Sequence, residues 1–403
     1  MKLLVVSHDC ATPTNQQFYS VVERVSDVDI TLVSPSMWVD DYGNQRSLER
    51  WPAFRGRLEA IPVWMNGSVP LHVYRTTFRH ILKRDKPDVI YVRHEPYGAA
   101  TAQVYQANRL WHDCPIGFFT WQNIQKTYPP PFAQTERMVL RESAFAFAGS
   151  DSATEILRAK GYDGPCVLLP GSVDQSAYYP RESNDELKAN LNVGSDEIVI
   201  GFMGRVSQVK GLDTALDALS SMRDIPWRFV VVGNGDYAEV LRSRAESLGI
   251  GDRLRFTGYV PHEEAPDYLS LFDVLVLPSE TQANWKEQFG RVLIEALACG
   301  TALIGSDSGE IPHVIRRSGG GISFEEGNST ALSNALRFMA QHPDKRRRFA
   351  ETGRQHVLRT HTDEVLANRF VSTLHRVLAT EAPDSGSPGH STTSSKSSSA
   401  ETA

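Results

Sequence analysis

Two carboxylates and two cations stand where they could manage a charged leaving group. In "KEQFGRVLIEALACGTALIGSD", Glu287 and Glu295 lie on either side of a helix start marked by Phe289 and Gly290. Val292, Leu293, Ala296 and Leu297 have helical spacing and the run ends at Gly300, so Glu295 is expected on the first turns and Glu287 on the loop before them. A helix start offers unpaired backbone N–H groups and the positive end of a dipole, which suits a diphosphate. One carboxylate can then take ribose hydroxyls and the other sugar hydroxyls. Upstream, "GFMGRVSQVKGLDTAL" puts Arg205 and Lys210 just after a strand, on a loop ending where a helical pattern begins. Two cations there would hold a departing diphosphate, and the four residues together describe a sugar nucleotide site.

Short apolar runs alternate with amphipathic stretches along the whole chain, the pattern of parallel sheets covered by helices on both faces. The expected strands of the first half are 3–6, 30–33, 89–92, 116–120, 145–148 and 167–169. Those of the second half are 198–203, 229–232, 254–257, 274–277, 302–305 and 321–324. Each half is a Rossmann-like domain in this reading, and ligands bind beyond the carboxyl ends of such strands, where Arg205, Gly233, Tyr259, Ser279 and Ser306 fall. Pro170, Gly171 and Pro180 interrupt both periodicities and mark a boundary. The expected organisation is a first domain over 1–170, a linker over 171–196, a second domain over 197–360, a helical segment over 361–380 and a tail over 381–403. That tail holds eight Ser and three Thr with almost no apolar residue, so disorder is expected there.

"GRVSQVKG" and the seven residues separating Glu287 from Glu295 resemble the retaining glycosyltransferases of family 4, over roughly residues 165 to 330. "LLPGSVDQSAYYP" is similar to that family's interdomain linker. The resemblance implies the GT-B fold, two Rossmann-like domains with parallel sheets facing across a cleft. It implies that Arg205 and Lys210 bind the donor diphosphate, that Glu287 contacts the donor sugar and that Glu295 binds the ribose; Arg205, Lys210 and Glu287 are the catalytic set. Donor binding extends to Gly204, to Phe289, Gly290, Arg291 and Val292 at the helix start, and to backbone near Val260, which meets the base in "FTGYVPHEEAPDYLSLFDVLVLPS". Gly233, Gly235 and Ala238 in "VVGNGDYAEV" form a GxGxxA pattern, read as a close turn beside the donor phosphates, because no acidic residue ends the next strand to hold a dinucleotide ribose. Retention of configuration is inherited from the resemblance. No metal and no cofactor are expected beyond the nucleoside diphosphate sugar itself, since two cations and a helix dipole already face the diphosphate and no DxD-like motif is near. Three departures stand out: Gln288 where the family usually has Gly, "TQANWK" lengthening the loop before it, and Glu310 and His313 in "SGEIPHVI", read as an ordinary helix start at Pro312.

The acceptor side is expected in the first domain. "VRHEPYGAA" and "FFTWQNIQKTYPPPF" follow strands and offer His94, Glu95, Gln122, Asn123 and Lys126 to the cleft. Many relatives have a His-Asp pair where Gln122 and Asn123 stand, so no acceptor-side His transfers there. "LHVYRTTFRHILKRDKP" reads as a helix with Leu71, Tyr74, Phe78 and Ile81 on one face and Arg75, Arg79 and Lys83 on another. Such a basic face is either solvated or docked on anionic lipid.

With 403 residues the chain can bury two ordinary cores, and 41% apolar and 22% charged residues are globular values. A net charge of -6 argues against nucleic acid as a partner. Residues 1–170 carry 18 Lys or Arg against 17 Asp or Glu, and the remainder 24 against 31, so the first half is the one suited to an anionic surface. Cys10, Cys114, Cys166 and Cys299 form no CxxC pair, which indicates neither a zinc site nor a disulfide framework. "MKLLVVSHD" is too short an apolar run for a secretory leader and reads as a first strand. The expected setting is cytoplasmic, with peripheral contact at an inner membrane face. Two rival functions keep the same fold: an epimerase or hydrolase of sugar nucleotides, and a non-catalytic partner of a transferase.

Overall fold

Parallel strands buried on both faces need unbroken apolar runs, and the runs of this chain build two all-parallel sheets. The computed structural model describes residues 1–39, 43–182 and 184–381; the tail expected to be disordered lies, beyond residue 381, outside the described residues. The first half contains β1 (Lys2–Val6), β2 (Asp29–Pro35), β3 (Met37–Val39), β4 (Gln45–Ser47), β5 (Arg57–Ile61), β6 (Val63–Trp64), β7 (Val73–Tyr74), β8 (Val89–Val92), β9 (Ile116–Thr120), β10 (Phe145–Ala148) and β11 (Cys166–Leu168). Seven of these form a sheet in the order β11-β10-β9-β8-β1-β2-β5, while β3–β4 and β6–β7 are small antiparallel pairs. The second half contains β12 (Ile198–Met203), β13 (Trp227–Val232), β14 (Leu254–Gly258), β15 (Val274–Leu277), β16 (Ala302–Ser306) and β17 (Gly321–Phe324), ordered β14-β13-β12-β15-β16-β17. Strand order reverses between β1 and β8 and between β12 and β15, and a crevice opens beyond the carboxyl ends at each reversal.

Helices in the first half are α1 (Gln17–Val25), α2 (Arg79–Asp85), α3 (Ala99–Trp111), α4 (Phe132–Glu142) and α5 (Asp151–Ala159). Then follow α6 (Asp185–Asn190), α7 (Leu212–Ser220), α8 (Ala238–Ser247), α9 (Ala265–Leu271), α10 (Arg291–Ala298), α11 (Ile311–Ser318), α12 (Ser329–Gln341), α13 (Pro343–Thr360) and α14 (Asp363–Glu381). The two-residue period of β1 splits its side chains between two cores: Leu3 and Val5 face one, Leu4 and Val6 the other. The first of these cores is completed by Leu366, Phe370 and Leu374 of α14, so the last helix packs on the first domain. Val173 donates its N–H to the carbonyl of His361 (2.9 Å), which ties the outgoing and returning crossings together. Among the described residues no helix is long and apolar enough to cross a membrane.

Two expectations differ from the structure. The edge strand β5 was absent from the strand reading, because "RLEAI" carries charge and only Ile61 is buried. The helix expected from Leu71 begins only at Arg79. Tyr74 instead pairs with Val63, and Phe78 has a left-handed φ of 62°. The cause is distant: Gln103 of α3 accepts from the Tyr74 N–H (3.0 Å) and donates to the carbonyls of Tyr74 (2.8 Å) and Thr76 (2.7 Å), capturing groups that a helix would use internally.

Candidate active site

The α10 segment folds as its pattern requires. Gly290, with a φ of 70°, is the N-cap, so its missing Cβ permits the sharp entry into the helix. Glu295 sits one turn in, its side chain 11% exposed, and accepts from Arg291 Nε at 2.8 Å across i,i+4. The Glu295 carboxylate in turn holds the Arg291 guanidinium above its ordinary pKa. Phe289 is buried, Val292 half-buried, and both pack on the core of the second domain.

Glu287 lies on the preceding loop and meets Lys210 Nζ at 2.6 Å. Both side chains are largely buried, and Ser279 Oγ donates to the same carboxylate oxygen at 2.9 Å. Lys210 also lies 5.0 Å from the Trp285 ring centroid, a cation–π distance. The Glu287 carbonyl is gripped from both domains: Asn123 Nδ2 donates at 3.0 Å and Glu310 N–H at 3.1 Å. A Cβ on Gly309 would lie 2.1 Å from that carbonyl oxygen, so only glycine fits there. The site charge from the β12 loop and the site charge from the α10 loop are therefore one buried pair.

Arg205 leaves β12 two residues past its end and is exposed on the same loop. Gly204 and Gly233 follow β12 and β13, and a Cβ on Gly233 would lie 1.9 Å from the Gly204 carbonyl oxygen. The GxGxxA pattern thus lets two loops touch backbone to backbone. Val260 is half-buried against the core of the second domain beyond β14, with the neighbouring Tyr259 exposed.

A cavity of about 310 Å³ lies between the domains. Glu287, Phe289, Gly290, Arg291 and Glu295 line its second-domain side; Asn15, Arg93 and Trp121 line the first-domain side. Gln288 Nε2 bonds the Trp121 carbonyl at 3.2 Å across the gap. Lys210 reaches this cavity through Glu287.

A smaller cavity of about 190 Å³ is lined by Glu95, Gln122, Asn123 and Lys126 from the first domain and Trp285 and Gln288 from the second. Four of the five expected acceptor-side residues therefore converge. Glu95 accepts from Thr120 Oγ1 (2.7 Å) and Trp121 N–H (2.8 Å), yet burial outweighs these bonds and pushes its carboxyl up to about 7. His94 is a correction. It was expected to face the cleft, but it is buried against His8, whose Nδ1 lies 2.8 Å from its own, while its neighbours Arg93 and Glu95 line the two cavities.

Arg93 and Trp121 were not singled out as site residues, and Ser279 was placed only among the residues beyond the strand ends. Arg93 is half-buried and stacks 5.4 Å over Phe119; burial opposes its charge, but Tyr19, Tyr91 and Asp9 favour it, and its guanidinium is held above its ordinary pKa. Its only sequence signal was a cation in the residue following an apolar strand. Glu310 accepts from Ser152 Oγ at 3.2 Å, so the departure at that position makes an interdomain contact with the start of α5.

Residues 183–356 match the family described as glycosyl transferases group 1. A 2-deoxystreptamine N-acetyl-D-glucosaminyltransferase of Streptomyces fradiae is 30% identical over 211 residues, 50% of this chain and 48% of that protein. A GDP-mannose-dependent alpha-(1-6)-phosphatidylinositol monomannoside mannosyltransferase of Mycobacterium tuberculosis is 28% identical over 216 residues, 52% of this chain and 56% of that protein. The chain thus spans about half the length of the curated relatives it matches. Among solved structures, the sucrose-phosphate synthase of Thermosynechococcus elongatus aligns with a TM-score of 0.73 at 18% identity, covering 94% of this chain and all of that one. HepE of Anabaena, solved with UDP, aligns with a TM-score of 0.70 at 17% identity over 93% of this chain and all of that one. The architecture is GT-B: two Rossmann-like domains whose parallel sheets face across a cleft.

Proposed function

We propose, from the membership of residues 183–356 in the glycosyl transferases group 1 family, that the chain is a retaining glycosyltransferase. It moves a sugar from a nucleoside diphosphate sugar to a hydroxyl acceptor, a glycan, lipid-linked or small molecule. The observation that carries this reading is the buried Lys210–Glu287 pair standing before the α10 start, with Glu295 one turn beyond. The relative from Mycobacterium is named as GDP-mannose-dependent, which supports a nucleoside diphosphate sugar as donor.

In this reading the diphosphate takes the N–H groups after Gly290, with Arg205 and Lys210 closing over it. Glu295 accepts from the ribose hydroxyls. Lys210 exchanges part of its contact with Glu287 for the diphosphate, and the released carboxylate oxygen accepts from the donor sugar. Glu287 lines the larger cavity and Trp285 the smaller, so the reacting carbon lies between the two. The acceptor enters through the smaller cavity beside Glu95, Gln122 and Lys126. Its oxygen bonds to the anomeric carbon from the face that the diphosphate leaves, and its proton departs with the phosphate oxygen. Asn123 positions Glu287 through the backbone. No metal or cofactor takes part in this scheme.

We further place the acceptor at an anionic membrane face. Arg75, Arg79 and Lys83 remain exposed although the helix is shorter than expected. Arg75 stacks over Trp64 (5.7 Å) and Arg79 over Trp111 (4.7 Å), both partly exposed rings. Met65, Leu71 and Leu110 add exposed apolar surface nearby in sequence. Cations stacked on exposed tryptophans suit a lipid interface.

The direct test is incubation with a panel of nucleoside diphosphate sugars, followed by mass spectrometry of what is retained and what is released. One donor should be captured, and nucleoside diphosphate should appear only with a hydroxyl acceptor. Steady release of free sugar without acceptor would favour hydrolysis, and capture of no donor would favour a binding partner.

A further inference from the structure

Beyond β1 and β8, where the first sheet reverses its order, three buried histidines converge. His8, His72 and His94 each place one ring nitrogen within 4.8 Å of the others. His72 Nδ1 points at two carbonyls, Ser68 O and Val69 O, both at 3.0 Å. A nitrogen facing two acceptors carries the proton, so His72 Nε2 holds the lone pair. That atom is fully buried and has no hydrogen-bond partner. His8 Nε2 lies 3.0 Å from Asp9 Oδ1, which leaves its Nδ1 turned inward toward His94. His94 Nε2 meets the Tyr74 hydroxyl at 3.3 Å. Each ring thus has one nitrogen held by an outer partner, a carboxylate, a carbonyl pair or a hydroxyl, and one turned into the cluster. Outer bonds of this kind orient imidazoles on a metal.

We propose that His8, His72 and His94 form a binding site for a divalent transition metal ion of the zinc type. Three neutral nitrogen donors without a carboxylate suit zinc or cobalt and are poor ligands for magnesium or calcium. Burial holds His72 down to about 4 and His94 well below its ordinary range, so both are in the ligating form at neutral pH. Tetrahedral zinc with bonds of about 2.0–2.1 Å sets its nitrogen ligands about 3.3–3.4 Å apart, so inward nitrogens that lie within 4.8 Å of one another close on the ion by up to about 1.5 Å through side-chain rotation. The short His8–His94 contact opens as the ion takes both lone pairs. The ion fastens three separate segments: the end of β1, the approach to β7 and the end of β8. It also steadies Asp9, whose other oxygen lies 3.6 Å from the cleft residue Arg93. The site lies apart from the diphosphate clamp and does not depend on the reading of that clamp.

The untagged full chain, stripped with chelator, is titrated with Co²⁺ alone and then Zn²⁺ alone. One equivalent of Co²⁺ should give saturable visible d–d bands that Zn²⁺ abolishes, and Zn²⁺ should raise Tm by several degrees. His72→Ala should lose both responses, and His72→Gln, which keeps the volume and the fold, should lose them too. Absence of Co²⁺ bands together with an unmoved Tm would overturn the site, as would full binding by both His72 variants.

Discussion

At the scale of single residues, the charges of the site are stored as pairs. Lys210 and Glu287 keep only 18% and 10% of their side chains exposed, so removing either strands the other in a poorly hydrated place. Lys210→Ala should lower turnover about a hundredfold or more, the loss expected for one preorganised charge stabiliser, and should also lower Tm. Arg205→Ala should lower turnover similarly while leaving Tm unchanged, since that side chain is exposed. Wild-type turnover in both folded variants would refute the diphosphate clamp. Glu295→Gln separates the two carboxylates. It should weaken binding of the nucleoside diphosphate by about 1–3 kcal/mol, whereas Glu287→Gln should leave that binding intact and impair use of the whole sugar nucleotide. Calorimetry giving the reverse order would exchange their roles.

Elements set these residues in place by contacts remote in sequence. The α14 helix is the clearest instance, because its apolar face completes a core begun by β1 some 360 residues earlier. Phe370 lies against Tyr91 (5.2 Å), Phe147 (5.1 Å) and Phe18 (5.7 Å), three rings of the first domain. Phe370→Ala should therefore cost about 3–5 kcal/mol in denaturant unfolding, as a buried Phe truncation does. A loss below about 1 kcal/mol would mean that α14 is only laid on the surface. The sequence pattern of α14 showed a helix; which core it served was invisible there.

For the whole molecule, what matters is how the halves meet and what surface they present. His361 lies at the crossing, stacked 6.0 Å from Phe289. Burial, then His356 and Arg369, push it down to about 4 from 6.5, so the folded protein holds it neutral while the unfolded chain protonates it sooner. The unfolded state binds the extra proton between those two values, and stability must fall as pH drops from about 6.5 toward 4. His361→Gln should reduce the loss of stability between pH 7.5 and pH 5 by about 1–3 kcal/mol; an unchanged loss would place the acid sensitivity elsewhere. The outer surface gives a second test. Sedimentation with anionic vesicles at low salt should exceed that with neutral vesicles and fade as salt shortens the Debye length. Charge reversal at Arg75, Arg79 and Lys83 should abolish it while donor binding persists. Equal recovery with both vesicle types would leave those residues as a solvated face.

What the sequence determined by itself was local. The strand runs, the Gly290 start and the placement of Glu287 before and Glu295 within α10 all follow from periodicity and caps over a dozen residues. The second domain was legible for that reason, since the donor site proposed there is assembled from loops that each follow their own strand. Tertiary structure decided the rest. His8, His72 and His94 are too widely spaced to form a local motif; the pairing of β1 with β8 brings His8 to His94, and His72 joins them from the approach to β7. Residues 71–78 match a helical period, yet Gln103 claims their backbone bonds. Asn123 read as an acceptor-side group, and its amide turned out to hold Glu287 across the cleft. In each instance the deciding partner lies far along the chain, and a hydrogen bond or buried contact of that span leaves no periodic trace in the residues that make it.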